Sequence, residues 1–255
     1  MMVDFYRFEH FKKYEALLHA VTKKSMQFPY TFSLALHTGE NKKEVMQNRD
    51  ILASSLNVKH VLSFVVANQT HSDHIKVIER NETKGWQGLE DAIEDCDSLV
   101  TNVKGVVLTI LTADCVPVLL YDEKQKVVAA VHAGWKGTKA KIVAKTVQKM
   151  KAYYGCDPIN IVAGIAPSIR QCCYEVDKNV AEHFFDISES FTSVGEKFML
   201  DLPLINKKQL LDAGVKKENI EMSNICTACE VEHFFSYRKE QGCSGRFMSM
   251  IGLIH

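Results

Sequence analysis

Residues 105–135 read GVVLTILTADCVPVLLYDEKQKVVAAVHAGW, and the folding of this stretch organises the rest of the chain. Val106 to Leu111 is apolar enough for a buried strand, Thr112-Ala113-Asp114-Cys115 is a polar break, and Val116 to Asp122 and Val127 to Trp135 are the arms of a hairpin. Glu123-Lys124-Gln125-Lys126 is the strongly hydrophilic run between the arms, which marks a solvent-facing turn. With Asp122 opposite Val127, Cys115 falls opposite Gly134 and His132 opposite Pro117. Side chains alternate faces with period two, so Cys115 and His132 share a face as diagonal neighbours, roughly 7 Å apart between backbones. A thiolate and an imidazole so placed can share a metal ion or act as nucleophile and base. A slip of one residue would put them on opposite faces.

A chain of 255 residues can bury a substantial core. Lys plus Arg and Asp plus Glu both number 31, so no net charge draws it to nucleic acid or to an anionic membrane. The N-terminal residues are charged every few positions and read as neither signal nor transit peptide. The longest apolar run, Gly105 to Tyr121, contains Asp114 and Pro117 and is too short for a membrane span. The expectation is a cytoplasmic protein. Its cysteines (Cys96, Cys115, Cys156, Cys172, Cys173, Cys226, Cys229 and Cys243) then read as metal ligands, nucleophiles or core filler rather than disulfides.

Outward from the hairpin, Asn41 is placed to cap a helix to about Leu56 carrying Arg49, and Val61 to Ala67 reads as a strand that ends in a polar run containing His71. Strand material is also expected around Tyr30 to His37, and residues 79–98 read as an acidic loop or lid with one helical turn. Thr138 to Tyr154 is a strongly amphipathic helix closed by Gly155; free N–H groups at its start would favour an anion near His132. Strand, helix, strand, helix and strand follow from Ile159 to Ile225, and a last apolar strand ends the chain. No repeat or linker interrupts it, so one mixed α/β domain over residues 1–255 is the simplest architecture.

His71, Cys115 and His132 each end or flank an apolar strand, and their convergence would give the ligand count of a catalytic zinc site. Their long spacings carry no zinc-finger signature, so a buried thiol with two hydrogen-bonded histidines and a metal-free hydrolase with Cys115 as nucleophile and His132 as base stay open. Cys226-x-x-Cys229 reads as core or near-site thiols, and of Cys172 and Cys173 one is expected to face the core. Arg49, Arg170, Arg238 and Arg246 are candidates for holding phosphate or carboxylate.

Taken in order, Asn48-Arg49, Gln69-Thr70-His71, Ala113-Asp114-Cys115, His132-Ala133-Gly134-Trp135, Gly164-Ile165-Ala166-Pro167, Cys172-Cys173-Tyr174-Glu175-Val176, Phe235-Ser236-Tyr237-Arg238 and Gly245-Arg246 resemble the YfiH/laccase-domain family across most of the chain. Ser72 departs from it, since the family usually has glycine after the histidine. The resemblance implies an α+β fold, a single-domain layered α/β/β/α sandwich with mixed sheets, and a metal held by His71, Cys115 and His132. It implies a zinc-dependent purine nucleoside phosphorylase acting on adenosine, inosine and S-methyl-5′-thioadenosine, with adenosine deaminase activity. Its partners would be purine nucleosides and phosphate, and the oligomeric state stays open. Copper is the alternative metal, because some members were described as polyphenol oxidases; editing of a peptidoglycan precursor, as by a cysteine-type hydrolase, is the alternative role. By motif match Arg49 would hold phosphate, with Arg238 or Arg246 in reserve, and Asp114 would orient a ligand or act as acid and base.

Overall fold

Val116–Asp122 and Val127–Ala133 pair antiparallel with Asp122 opposite Val127 and Pro117 opposite His132, the register expected from the sequence. The turn between them is fixed locally: Asp122 Oδ1 accepts from the N–H groups of Lys124 (2.9 Å) and Gln125 (3.1 Å), and Lys126 closes it at φ 52°. Asx turns of this kind pin a hairpin register.

The computed structural model describes residues 3–242 and 245–254, so Cys243 lies outside the described residues. In chain order the strands are β1 (Phe5–Tyr6), β2 (Leu17–Thr22), β3 (Ser63–Val66), β4 (Ile75–Val77), β5 (Ser98–Thr101), β6 (Val106–Thr112), β7 (Val116–Asp122), β8 (Val127–Ala133), β9 (Ile161–Ile165), β10 (Glu175–Val176), β11 (Phe191–Val194), β12 (Lys197–Leu200), β13 (Ile220–Met222) and β14 (Phe247–Leu253). The helices are α1 (Glu9–Lys12), α2 (Lys42–Ser55), α3 (Trp135–Lys139), α4 (Ile142–Tyr154), α5 (Lys178–Ala181) and α6 (Leu202–Asp212).

A five-stranded sheet runs β1-β2-β14-β6-β3 and a six-stranded sheet runs β13-β9-β7-β8-β5-β4, each with parallel and antiparallel pairs. A small three-stranded sheet, β10-β12-β11, stands beside them. Core composition gives the layering. Leu108 and Ile110 of β6 pack with Leu119 and Tyr121 of β7 between the two large sheets. On their other faces, Val107 and Leu111 meet Leu52 of α2, while Val118 and Leu120 meet Val143, Val147 and Met150 of α4. The order of layers is therefore helix, sheet, sheet, helix, the expected α+β sandwich. Covered on both faces, β6, β7, β8 and β14 are buried along their whole length, which is why their sequences are nearly unbroken apolar runs. Each fully buried Val, Leu, Ile, Phe or Met side chain in them contributes about 1.5–3 kcal/mol of burial free energy.

Asn41 caps α2 by accepting from Lys43 N–H (2.9 Å). Elsewhere the structure departs from expectation. The strand material before α2 is Phe5–Tyr6 and Leu17–Thr22, and Tyr30 to His37 holds no strand. Tyr30, Thr31 and Phe32 take positive φ values of 50°, 50° and 72°, and Asn48 Nδ2 pins this loop by donating to the Pro29 and Ser33 carbonyls at 2.9 Å. No helix forms in residues 79–97. The helix expected from Thr138 is two helices, broken where Lys141 turns left-handed at φ 60°. Among the described residues no helix is long and apolar enough to cross a membrane.

Candidate metal centre

β6 belongs to one large sheet and β7 to the other, so Ala113-Asp114-Cys115 is where the chain crosses between them. Asp114 makes the crossing at φ 91°, a conformation L-residues rarely adopt. Its carboxylate holds the strained turn in place: Oδ1 accepts from Thr227 Oγ1 and Oδ2 from the Arg238 N–H, both at 2.7 Å. The geometry thus gives Asp114 a positioning role, although it lines the cavity. Cys115 emerges from this crossing facing His132 of β8.

His71 arrives from the end of β3. The Gln69 amide docks on Leu111, donating to its carbonyl and accepting from its N–H, each at 2.9 Å, and His71 turns at φ 62°. Gly134 leaves room for it, since a Cβ there would lie 2.7 Å from His71 Cδ2 and 3.2 Å from Cys115 Sγ. The ligand atoms of His71, Cys115 and His132 all fall within 4.8 Å of one another, with Cys115 Sγ 3.7 Å from His71 Nε2.

Asp97, which the sequence reading did not single out, organises this group. It is fully buried, and Oδ1 lies 2.7 Å from His132 Nδ1. Its oxygens also accept from the N–H groups of Thr70 (3.2 Å), His71 (3.1 Å) and Ser72 (2.7 Å), and from Ser72 Oγ (2.7 Å). Ser72, the departure from the family pattern, thus adds a bond to the orienting carboxylate, and the positive φ falls on His71 instead. With Nδ1 engaged, His132 presents Nε2 to a ligand, the second-sphere arrangement that fixes tautomer and ring orientation in metal sites. Nothing in the acidic run distinguished Asp97 from Glu90, Asp91, Glu94 or Asp95.

The electrostatics follow. Burial opposes charge on Asp97, but hydrogen bonds from His132 and Ser72 outweigh it and hold the carboxyl at about 2. Burial also opposes the Cys115 thiolate, yet His132 and His71 bring it down to about 6. Burial disfavours the His132 cation, but Cys115 and Asp97 raise it to about 9. A thiolate beside two imidazoles, one of them oriented by a carboxylate, is a donor set that suits zinc and also copper. Asp97→Asn is expected to weaken metal binding at this site by about 10–100-fold, read by competitive chelator titration, while far-ultraviolet circular dichroism is unchanged.

The triad lines a cavity of about 450 Å³ shared with Tyr174, Tyr237, Arg238 and Arg246. The Arg238 guanidinium sits 5.3 Å from the Tyr174 ring centroid and Arg246 5.8 Å from that of Tyr237. Arg49 is not there, which corrects the expectation for it. Its guanidinium is fully buried and donates to the carbonyls of Leu34 (2.9 and 2.8 Å), Gly85 (2.8 Å) and Trp86 (2.6 Å). Arg170 lies outside the cavity lining, paired with Asp201 at 3.3 Å. The anion-binding helix start after Gly137 is also absent, because Gly137 lies inside α3 and the N–H of Thr138 bonds to the Gly134 carbonyl at 2.8 Å.

The model of the family described as multi-copper polyphenol oxidoreductase laccase matches residues 19–254. Purine nucleoside phosphorylase YlmD of Bacillus subtilis is 35% identical over 230 residues, covering 88% of this chain and 82% of that protein. Adenosine deaminase RL5, from an unknown prokaryotic organism, is 36% identical over 221 residues, 84% of each. The crystal structure of the Bacillus licheniformis hypothetical protein YfiH is similar with a TM-score of 0.89 at 31% identity, over 95% of this chain and 94% of that one.

Proposed function

This chain belongs to the multi-copper polyphenol oxidoreductase laccase family, and on that premise we propose that it is a zinc-dependent purine nucleoside phosphorylase acting on adenosine, inosine and S-methyl-5′-thioadenosine, with adenosine deamination as a second activity. The observation that carries this reading is the shared cavity, in which the His71, Cys115 and His132 donor set meets two guanidinium groups and two tyrosine rings. The names of relatives of this chain support the substrate class.

In phosphorolysis a phosphate oxygen bonds to C1′ as the C1′–N9 bond breaks, and the departing purine keeps the electron pair and takes up a proton. Little covalent work falls to the protein, so positioning decides the rate. Arg246 and Arg238, whose Nη1 groups donate to the Gly245 and Glu175 carbonyls at 2.8 Å, bring cationic guanidinium groups to the phosphate, and Tyr174 and Tyr237 offer faces to the nucleoside. His71, Cys115 and His132 would hold the zinc, with Asp97 fixing the His132 ring. When bound, the ion supplies Lewis acidity and acidifies water for the deamination. Arg246→Ala is expected to raise the KM for phosphate by about 10-fold or more at unchanged zinc content, the loss of a charge-assisted hydrogen bond; an unchanged KM would remove Arg246 from the phosphate site.

One observation favours a second reading. Asp97, His132 and Cys115 also form the orienting acid, base and nucleophile of a cysteine hydrolase, which could cleave a peptidoglycan precursor. That reading leaves His71 idle. Copper oxidase chemistry fits less well: among the described residues, ligand-type groups of three or more are this triad, with two histidines, and one cluster of cysteines with none, too few imidazoles for the several histidine-rich copper sites that multicopper chemistry needs. Chelation separates the readings. Adenosine turnover lost on removing metal and regained with zinc supports the phosphorylase, whereas activity indifferent to chelator but lost on thiol alkylation supports the hydrolase.

A further inference from the structure

Four thiols meet behind one wall of the cavity. The Sγ atoms of Cys172, Cys173, Cys226 and Cys229 all lie within 4.8 Å of one another, with Cys229 at 3.7 Å from Cys172 and 3.5 Å from Cys173. Four sulfurs bound to one zinc at about 2.3 Å stand roughly 3.8 Å apart, whereas a disulfide is about 2.05 Å. The observed separations match a shared ion.

The backbone is shaped for this. Cys173 and Tyr174 both donate N–H bonds to the Arg170 carbonyl at 2.9 Å, so the segment turns, and adjacent Cys172 and Cys173 reach one point. Cys173 is half-buried against the cluster of Ile169, Cys226 and Ala228, as expected for one of the pair, while Cys172 is exposed. The Cys226–Cys229 turn is closed by Glu230 N–H on the Cys226 carbonyl at 2.9 Å. The two segments are joined by Ser168 N–H to Ile225 O at 3.3 Å and Thr227 N–H to Ser168 O at 3.1 Å.

We propose that Cys172, Cys173, Cys226 and Cys229 bind one structural zinc ion as a tetrathiolate site. Four protein ligands leave no open position, so the ion acts on the fold and not on the substrate. What it braces is the cavity wall. Ile169 N–H, Thr227 Oγ1 and Arg238 N–H all bond to Asp114, at 2.9, 2.7 and 2.7 Å, and Tyr174 follows the cysteine pair directly. An ion joining the two segments therefore stabilises the strained crossing that presents Cys115.

The test is metal analysis with X-ray absorption on zinc-loaded protein. Wild type should hold two zinc ions per chain averaging about 2.5 sulfur neighbours, since a four-sulfur site is averaged with a one-sulfur site. His71→Ala/His132→Ala should keep one zinc with four sulfurs at about 2.3 Å. Cys226→Ser/Cys229→Ser should lose one zinc and melt at lower temperature. A wild-type protein with one zinc and one sulfur neighbour would overturn the proposal, as would mass spectrometry showing these cysteines paired as disulfides. The wild-type spectrum decides even if a variant fails to fold.

Discussion

Cys115→Ala is expected to lose adenosine phosphorolysis by about three orders of magnitude and to lose the metal from the triad with it. Cys115 is the anionic member of the donor set, and its removal leaves two imidazoles, one of them exposed. A metal's transition-state stabilisation is worth several kcal/mol, and each 1.36 kcal/mol is tenfold in rate, so a loss of about 10³ follows from about 4 kcal/mol. The substitution removes one atom at a partly exposed position, so the fold should stand. Zinc quantification and initial rates on the same preparation check this. A Cys115→Ala chain that retains triad metal and normal turnover would contradict it.

Arg49→Met should unfold the protein more easily by about 3–5 kcal/mol, the range for removing one member of a buried charged network. The guanidinium satisfies the carbonyls of Leu34, Gly85 and Trp86, which join two loops to α2, and it stacks 5.1 Å from the Trp86 ring centroid. Methionine fills much of the volume but leaves those acceptors unpaired. Urea denaturation measures the loss, and the folded fraction should bind phosphate with unchanged KM. A raised phosphate KM at wild-type stability would restore the motif-based assignment.

The contrast between these residues shows what the sequence could carry. Hairpin register was legible because one polar tetrapeptide lies between two apolar arms, and period-two alternation then put Cys115 and His132 on one face. Arg49 fell outside the site because a cation buried among carbonyls has no one-dimensional signature distinct from one that faces phosphate. Asp97 was hidden among acidic neighbours, its role appearing only when β5 and β8 pair and bring it beside His132. The cysteine cluster needed a turn at Gln171 to Cys173 and the pairing of Ser168 with Cys226, two long-range facts that spacing alone does not hold. β2 was missed because LLHAVT is buried on both faces and lacks the alternation that marks a half-exposed strand.

The central claim is tested most directly by incubating purified, metal-analysed protein with adenosine, with and without phosphate, and separating adenine, inosine and hypoxanthine by chromatography. The account predicts adenine release that requires phosphate, some inosine without it, and loss of both when Cys115→Ala removes the triad metal. Zinc-loaded protein that forms no product from adenosine, inosine or S-methyl-5′-thioadenosine would contradict it.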